Sequence, residues 1–236
     1  MPADAHIVKS YTAEIDHLTA LIAEMGGCAE TAVVEAVQAL RRRDSDRAAK
    51  VIEGDRKIDA LEEQVSASVV RMLALRQPMA ADLRTIVAGL KIAGDLERIG
   101  DYAKNIAKRT IILNKSPATG PIAGISHLSK MVEVMLHEVL NAYSAGDADA
   151  ATLLRARDQD VDEVHTGLFR ELLTYMMEDP RTITACTHLI IIAKNLERVG
   201  DHSTNIAENL VFQVRGERLT DRHADDAESG DPTDRL

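Results

Sequence analysis

Asp95-Leu96-Glu97-Arg98-Ile99-Gly100-Asp101-Tyr102-Ala103-Lys104-Asn105-Ile106-Ala107-Lys108 returns one hundred residues later as Asn195-Leu196-Glu197-Arg198-Val199-Gly200-Asp201-His202-Ser203-Thr204-Asn205-Ile206-Ala207-Glu208. The two copies agree at eight of fourteen places, so the chain carries an internal repeat and each half is one unit of it. Both copies read as helix. Residues four apart are neighbours on a helix surface, so the shared Glu-x-x-x-Asp-x-x-x-Asn places Glu97, Asp101 and Asn105 in one row and Glu197, Asp201 and Asn205 in another. Two carboxylates at this spacing repel by only about 0.2–0.5 kcal/mol on a solvated helix, so one copy alone is an ordinary charged face. Recurrence weakens that bland reading.

Each copy is preceded by a second acidic pair, Asp55-x-x-x-Asp59 in the first half and Asp158-x-x-x-Asp162 in the second. Pro78 and Pro180 mark the turns between the two helical segments of each half. Asp59 and Glu97 both stand nineteen residues from Pro78, and Asp55 and Asp101 both stand twenty-three. Around Pro180 the separations are eighteen and seventeen for Asp162 and Glu197, then twenty-two and twenty-one for Asp158 and Asp201. In an antiparallel hairpin, equal distance from the turn means equal height, so four carboxylates are predicted to meet at one level in each half.

Working outward, the apolar period is helical throughout, and no strand pattern competes. The first helix is expected over about 5–42, with Gly26-Gly27 weakening or bending its middle. The second starts at Asp44-Ser45 and runs to about Arg76, and the third covers about 79–114. Lys115 to Pro121 breaks the period and reads as a link, with boundaries at 116–121. A fourth helix over about 122–145 and a fifth to about Glu178 follow, and Asp179-Pro180 supplies a cap and first-turn pair for a sixth running to about Arg215. The polar stretch 216–236 has no apolar period and reads as a disordered acidic tail. The expected fold is all-α: two pseudo-symmetric antiparallel three-helix bundles, residues 1–115 and 122–215, six long helices in all, each bundle with its own modest core.

Composition narrows the function. The chain of 236 residues is 45% hydrophobic but 3% aromatic and lacks Trp, which suits tightly packed helices better than an aromatic-lined pocket. Its net charge of −10 argues against a nucleic-acid partner, which demands a basic surface, and favours cations and basic partners. Cys28 and Cys186 stand apart with no Cys-x-x-Cys, so neither a thiolate metal site nor a disulfide framework is indicated. No run is long and apolar enough for a signal peptide or a membrane span, so a soluble cytoplasmic protein is expected.

The acids Glu97 and Asp101 point well away from Leu96, Ile99, Ala103 and Ile106, and Asp55 and Asp59 flank the stripe of Ile58, so each quartet is expected to line an outward-facing groove. Clustered carboxylates are oxygen ligands for hard cations, Mg²⁺, Ca²⁺, Mn²⁺ or iron. Asn105 or Asn205 and water would complete the shell, His202 could add nitrogen, and Arg98 and Arg198 could neutralise a neighbouring acid. The rival enzyme reading, a carboxylate-bridged di-iron protein of the ferritin-like kind, needs two Glu-x-x-His motifs on four helices. Only Glu14-x-x-His17 and Asp162-x-x-His165 come near it. A second rival is a bare helical adaptor whose grooves hold basic partner segments.

The repeated Leu-Glu-Arg-Ile/Val-Gly-Asp-x-x-x-Asn-Ile-Ala, together with His6-Ile-Val-Lys-Ser-Tyr-x-x-Glu-Ile and Ala23-Glu24-Met25-Gly26-Gly27, resembles the PhoU family over residues 5–215. The resemblance implies multinuclear clusters of iron, manganese, magnesium or zinc on Asp55 with Asp59, Glu97 with Asp101, Asp158 with Asp162, and Glu197 with Asp201. Glu62 and Glu63 have no acidic counterpart in the second half, where His165 and Thr166 stand, and are left out of that set. It also implies a non-enzymatic negative regulator of the phosphate-starvation response and of phosphate uptake. Such a protein would link the phosphate ABC transporter, through a PstB-like ATPase, to a PhoR-like phosphate-sensing histidine kinase. The same resemblance implies a homodimer in the cytoplasm, associated with the inner membrane through these partners.

Overall fold

Six helices build the protein in this computed structural model, which describes residues 3–76, 78–116 and 122–217, with side chains from Thr12 onward except Arg76. They are α1 (Ala3–Arg42), α2 (Ser45–Arg76), α3 (Ala80–Leu113), α4 (Ile122–Ala145), α5 (Ala148–Glu178) and α6 (Ile183–Arg215). No strand occurs among the described residues. The expected link and acidic tail fall mostly on 117–121 and 218–236, outside the described residues.

Local chemistry sets the helix ends. Asp44 accepts a hydrogen bond from the Arg47 N–H at 2.9 Å and so opens α2, and Asp147 caps α5 by accepting from the N–H groups of Asp149 and Ala150. Asp179 does cap a helical start, but the turn that it opens, Pro180–Thr182, is a 3₁₀ turn and α6 begins only at Ile183. The Asp179 carboxylate, held low by its hydrogen bonds with Arg181, accepts from that residue's backbone and side chain. Gly216, at φ 76°, closes α6 with its N–H on the Phe212 carbonyl.

Gly26-Gly27 does not interrupt α1, which runs unbroken through them. The role of Gly26 is spatial: a Cβ there would come within 2.6 Å of Leu140 Cδ2, so the missing side chain lets α4 approach α1, whereas a Cβ on Gly27 would meet open space. Packing elsewhere in the helix offsets the unfavourable glycine propensity of about 1 kcal/mol each.

α1, α2 and α3 form one antiparallel bundle and α4, α5 and α6 the other, and the bundles meet along α3–α6 and α1–α4. α3 and α6 run antiparallel to each other, with Arg84 beside Gly216 and Tyr102 against His202. The expectation of two separate cores does not hold. The buried apolar residues form one continuous cluster from Leu18 through Ile99 and Leu136 to Val211. Small residues are buried along the third helix of each half, Ala88, Ala93, Ala103 and Ala107 on α3 and Ala193, Ser203 and Ala207 on α6, alongside the larger apolar side chains. Small side chains allow close approach, so α3 and α6 each serve their own bundle and the joint between bundles.

Candidate metal centre

The level arrangement inferred from the turns is present in both halves, and in the first half glycine is what makes it close. Gly100 and Gly200 occupy the same place in the repeat, one residue before Asp101 and Asp201. A Cβ on Gly100 would lie 2.8 Å from Ile58 Cδ1 and 3.5 Å from Asp55 Oδ1; on Gly200 it would lie 3.5 Å from Val161 Cγ1 and 3.8 Å from Asp158 Oδ1. α2 thus presses its acids against α3 more tightly than α5 presses against α6.

In the first half, Asp55, Asp59, Glu97 and Asp101 share one electrostatic neighbourhood. Asp55 is only 5% exposed, which departs from the outward groove expected for it. Burial of this carboxylate is made tolerable by Lys104, one turn beyond Asp101, whose ammonium donates to Asp55 Oδ2 and, at 2.9 Å, to Asp101 Oδ1. Those hydrogen bonds hold the Lys104 pKa well above the ordinary lysine value. Burial, then the neighbouring Asp55, raises the pKa of Asp59; burial, then Asp101, raises that of Glu97. Arg98 Nε lies 3.7 Å from Glu97 Oε2, a loose pair at the surface.

In the second half, Asp162, Glu197 and Asp201 each bring a carboxylate oxygen within 4.8 Å of the others. Oxygens that share an ion at about 2.0–2.6 Å lie within about 5 Å of one another, so this spacing suits a hard cation. Glu197, too, is buried more deeply than the outward groove predicted, at 9% exposed. Lys194 reaches its Oε1 from the solvent side, while Oε2 is buried and has no hydrogen-bond partner. An orphaned carboxylate oxygen is costly. Asp158 stands behind this trio, its pKa raised by burial and then by Asp162. Where the first half has Lys104, the second has Thr204, whose buried hydroxyl faces Asp158 and favours the charged carboxylate without reaching hydrogen-bond geometry. Burial, followed by Glu197 and Asp158, pushes the Asp201 pKa up to about 6.

The accessory ligands expected in the second copy, His202 and Asn205, are engaged elsewhere. His202 turns from the acids into the joint between bundles, its Nδ1 2.8 Å from Asp95 Oδ1 and its Nε2 3.2 Å from the Tyr102 hydroxyl. Asn205 also faces Asp95, at 3.4 Å, and Arg198 lies over the Tyr102 ring at 5.9 Å. Position 102/202 differs between the repeats because this pair meets across the pseudo-dyad. A cleft of about 560 Å³ opens beside it, lined by residues including Lys91, Arg98, His202 and Phe212, and none of the eight acids lines it. Lys104, Thr204 and Asp95 were not singled out from sequence. The signal for the first two was a lysine three residues after Asp101, replaced by threonine in the other copy.

Residues 22–110 and 125–210 match the family model described as PhoU domain. A relative from Caulobacter vibrioides (strain NA1000 / CB15N), the phosphate-specific transport system accessory protein PhoU homolog, is 50% identical over 91% of this chain and 94% of its own length. The phosphate-specific transport system accessory protein PhoU of Escherichia coli (strain K12) is 36% identical over 98% of this chain and 93% of its own. The crystal structure of PhoU from Pseudomonas aeruginosa superposes with a TM-score of 0.86 at 40% identity, covering 88% of this chain and all of that one.

Proposed function

The chain belongs to the PhoU family, and from that premise we propose that it is a metal-binding adaptor that holds the phosphate-starvation response off and restrains phosphate uptake when phosphate is plentiful. The family is one of accessory proteins of phosphate transport, so a part in regulating that transport follows from membership. The finer reading names the partners: the ATPase of the phosphate ABC transporter on one side and the phosphate-sensing histidine kinase on the other, with the adaptor working as a homodimer. No helix among the described residues is long and apolar enough to cross a membrane.

The observation that carries the metal part is the second-half trio with its orphaned Glu197 Oε2. Asp162, Glu197 and Asp201 would hold the cation, with Asp158 behind them; in the first half Asp55, Asp59, Glu97 and Asp101 would do so. A cation held there would supply positive charge that offsets the repulsion among acids of the second and third helices of a bundle. The chain's own residues supply the rest: Gly100 lets α2 come close to α3, and the burial of Glu197 Oε2 excludes water from one oxygen.

The test is genetic and chemical together. Deleting the gene should release phosphate-regulated transcription in excess phosphate, wild type should restore repression, and a Glu197→Gln/Asp201→Asn variant should restore it incompletely. Repression that survives the deletion would contradict the regulatory reading. Full restoration by the variant would separate regulation from metal.

A further inference from the structure

The two acidic clusters are repeat-equivalent in their carboxylates but not in their counter-charge. In the first, a lysine from α3 lies between the helices and touches one acid on each, Asp55 of α2 and Asp101 of α3. In the second, the equivalent position is Thr204, and the nearby Lys194 meets only Glu197 Oε1, from the rim, with its side chain about half exposed. Among the described residues, the buried atoms left without a partner in the two clusters are on the second side, Glu197 Oε2 and Thr204 Oγ1, whereas Asp55, the most buried acid of the first cluster, is paired.

We propose that Lys104 is a built-in counter-ion that takes the cation's place in the first half, so that the protein holds metal preferentially at Asp162, Glu197 and Asp201. The proposal rests on the reading above that these acids hold a cation. The physics is competition for the same oxygens. Asp59, Glu97 and Asp101 are the repeat equivalents of the second-half trio, and a metal drawn to them competes for Asp101 Oδ1 with a hydrogen-bonded, three-quarters buried lysine that also holds Asp55. In the second half a metal displaces no comparable bridge between the helices, and it satisfies the buried Glu197 Oε2. The chain therefore has one open and one self-neutralised site, and position 104/204 decides which is which.

Mn²⁺ binding to the full chain, followed by calorimetric titration and by the electron paramagnetic resonance of free Mn²⁺, tests this. Wild type should show one tight class of site that Glu197→Gln/Asp201→Asn removes, leaving affinity at least tenfold weaker. Adding Lys104→Thr to that double variant should recover at least tenfold, and Thr204→Lys in wild type should weaken the tight class at least tenfold. Circular dichroism keeps the comparison to folded variants, and the Thr204→Lys arm decides the matter should Lys104→Thr not fold. Equal affinity of the two halves in wild type, or no effect of either swap, would overturn the proposal and leave the metal reading intact. No Mn²⁺ binding by wild type or any swapped variant would overturn both.

Discussion

The two halves solve one electrostatic problem in different ways. Each must keep four carboxylates between its second and third helices. The first half satisfies its most buried acid internally, through Lys104, and packs α2 hard against Gly100. The second leaves Asp158 without an ammonium bridge, orphans Glu197 Oε2, raises the pKa of Asp201 and packs more loosely against Gly200. A repeat that retains its acids while trading the lysine between its helices for one at the rim, Lys194, places the demand for an external cation in the second copy. The first copy then serves as an internal control, with the same geometry and the charge already supplied.

Removal of the acid at equivalent places should break this comparison most sharply. Asp55→Ala strips Lys104 of its buried partner; breaking a fully buried pair costs about 3–5 kcal/mol, and because Lys104 keeps Asp101 and some solvent, about 2–3 kcal/mol is expected here. Asp158→Ala removes a carboxylate that burial and Asp162 already disfavour, and should cost less than about 1 kcal/mol in metal-free protein. Urea denaturation with chelator present measures both. Equal losses would mean that Lys104 contributes nothing to the difference.

Alanine at the repeat's glycine sharpens the packing side. At Gly100 the new methyl meets Ile58, itself fully buried, at 2.8 Å, and should cost about 1–2 kcal/mol once strain is set against the better helix propensity. At Gly200 it meets Val161 at an ordinary 3.5 Å, so propensity dominates and the variant should gain up to about 1 kcal/mol. Thermal denaturation of the two variants should therefore move in opposite directions.

The smallest effect is on pH. Asp201 titrates near 6 in the folded chain and about 3.9 when unfolded, so between those values the folded state holds the extra proton. Its contribution to metal-free stability is favourable near pH 4 and is lost as pH rises through 6. Asp201→Asn should remove that part of the slope. Denaturation midpoints across pH 4 to 7 read this directly. A slope unchanged in Asp201→Asn would show that the carboxylate is solvated and its environment unexceptional.

Much of this was legible in the residues. The Pro-centred counting brings each quartet level because two regular helices rise at the same rate from one turn. The helix ends were readable to within a few residues, since Asp44, Asp147 and Gly216 act through local hydrogen bonds. What escaped is tertiary. Gly26-Gly27 looks like a weak point until Leu140 of another helix is beside it. Asp55 and Glu197 look solvent-facing by helical angle, but a neighbouring helix covers them, and angle alone cannot register that. Likewise, the shared core depends on how closely α3 and α6 approach, which the period of either helix does not contain.

The most direct measurement is anomalous X-ray scattering from a crystal of the full chain soaked in Mn²⁺. The account predicts an anomalous peak among Asp162, Glu197 and Asp201, with Lys104 still bridging Asp55 and Asp101 and no peak of similar height between them. A peak confined to the first half, or none at either cluster, would contradict it.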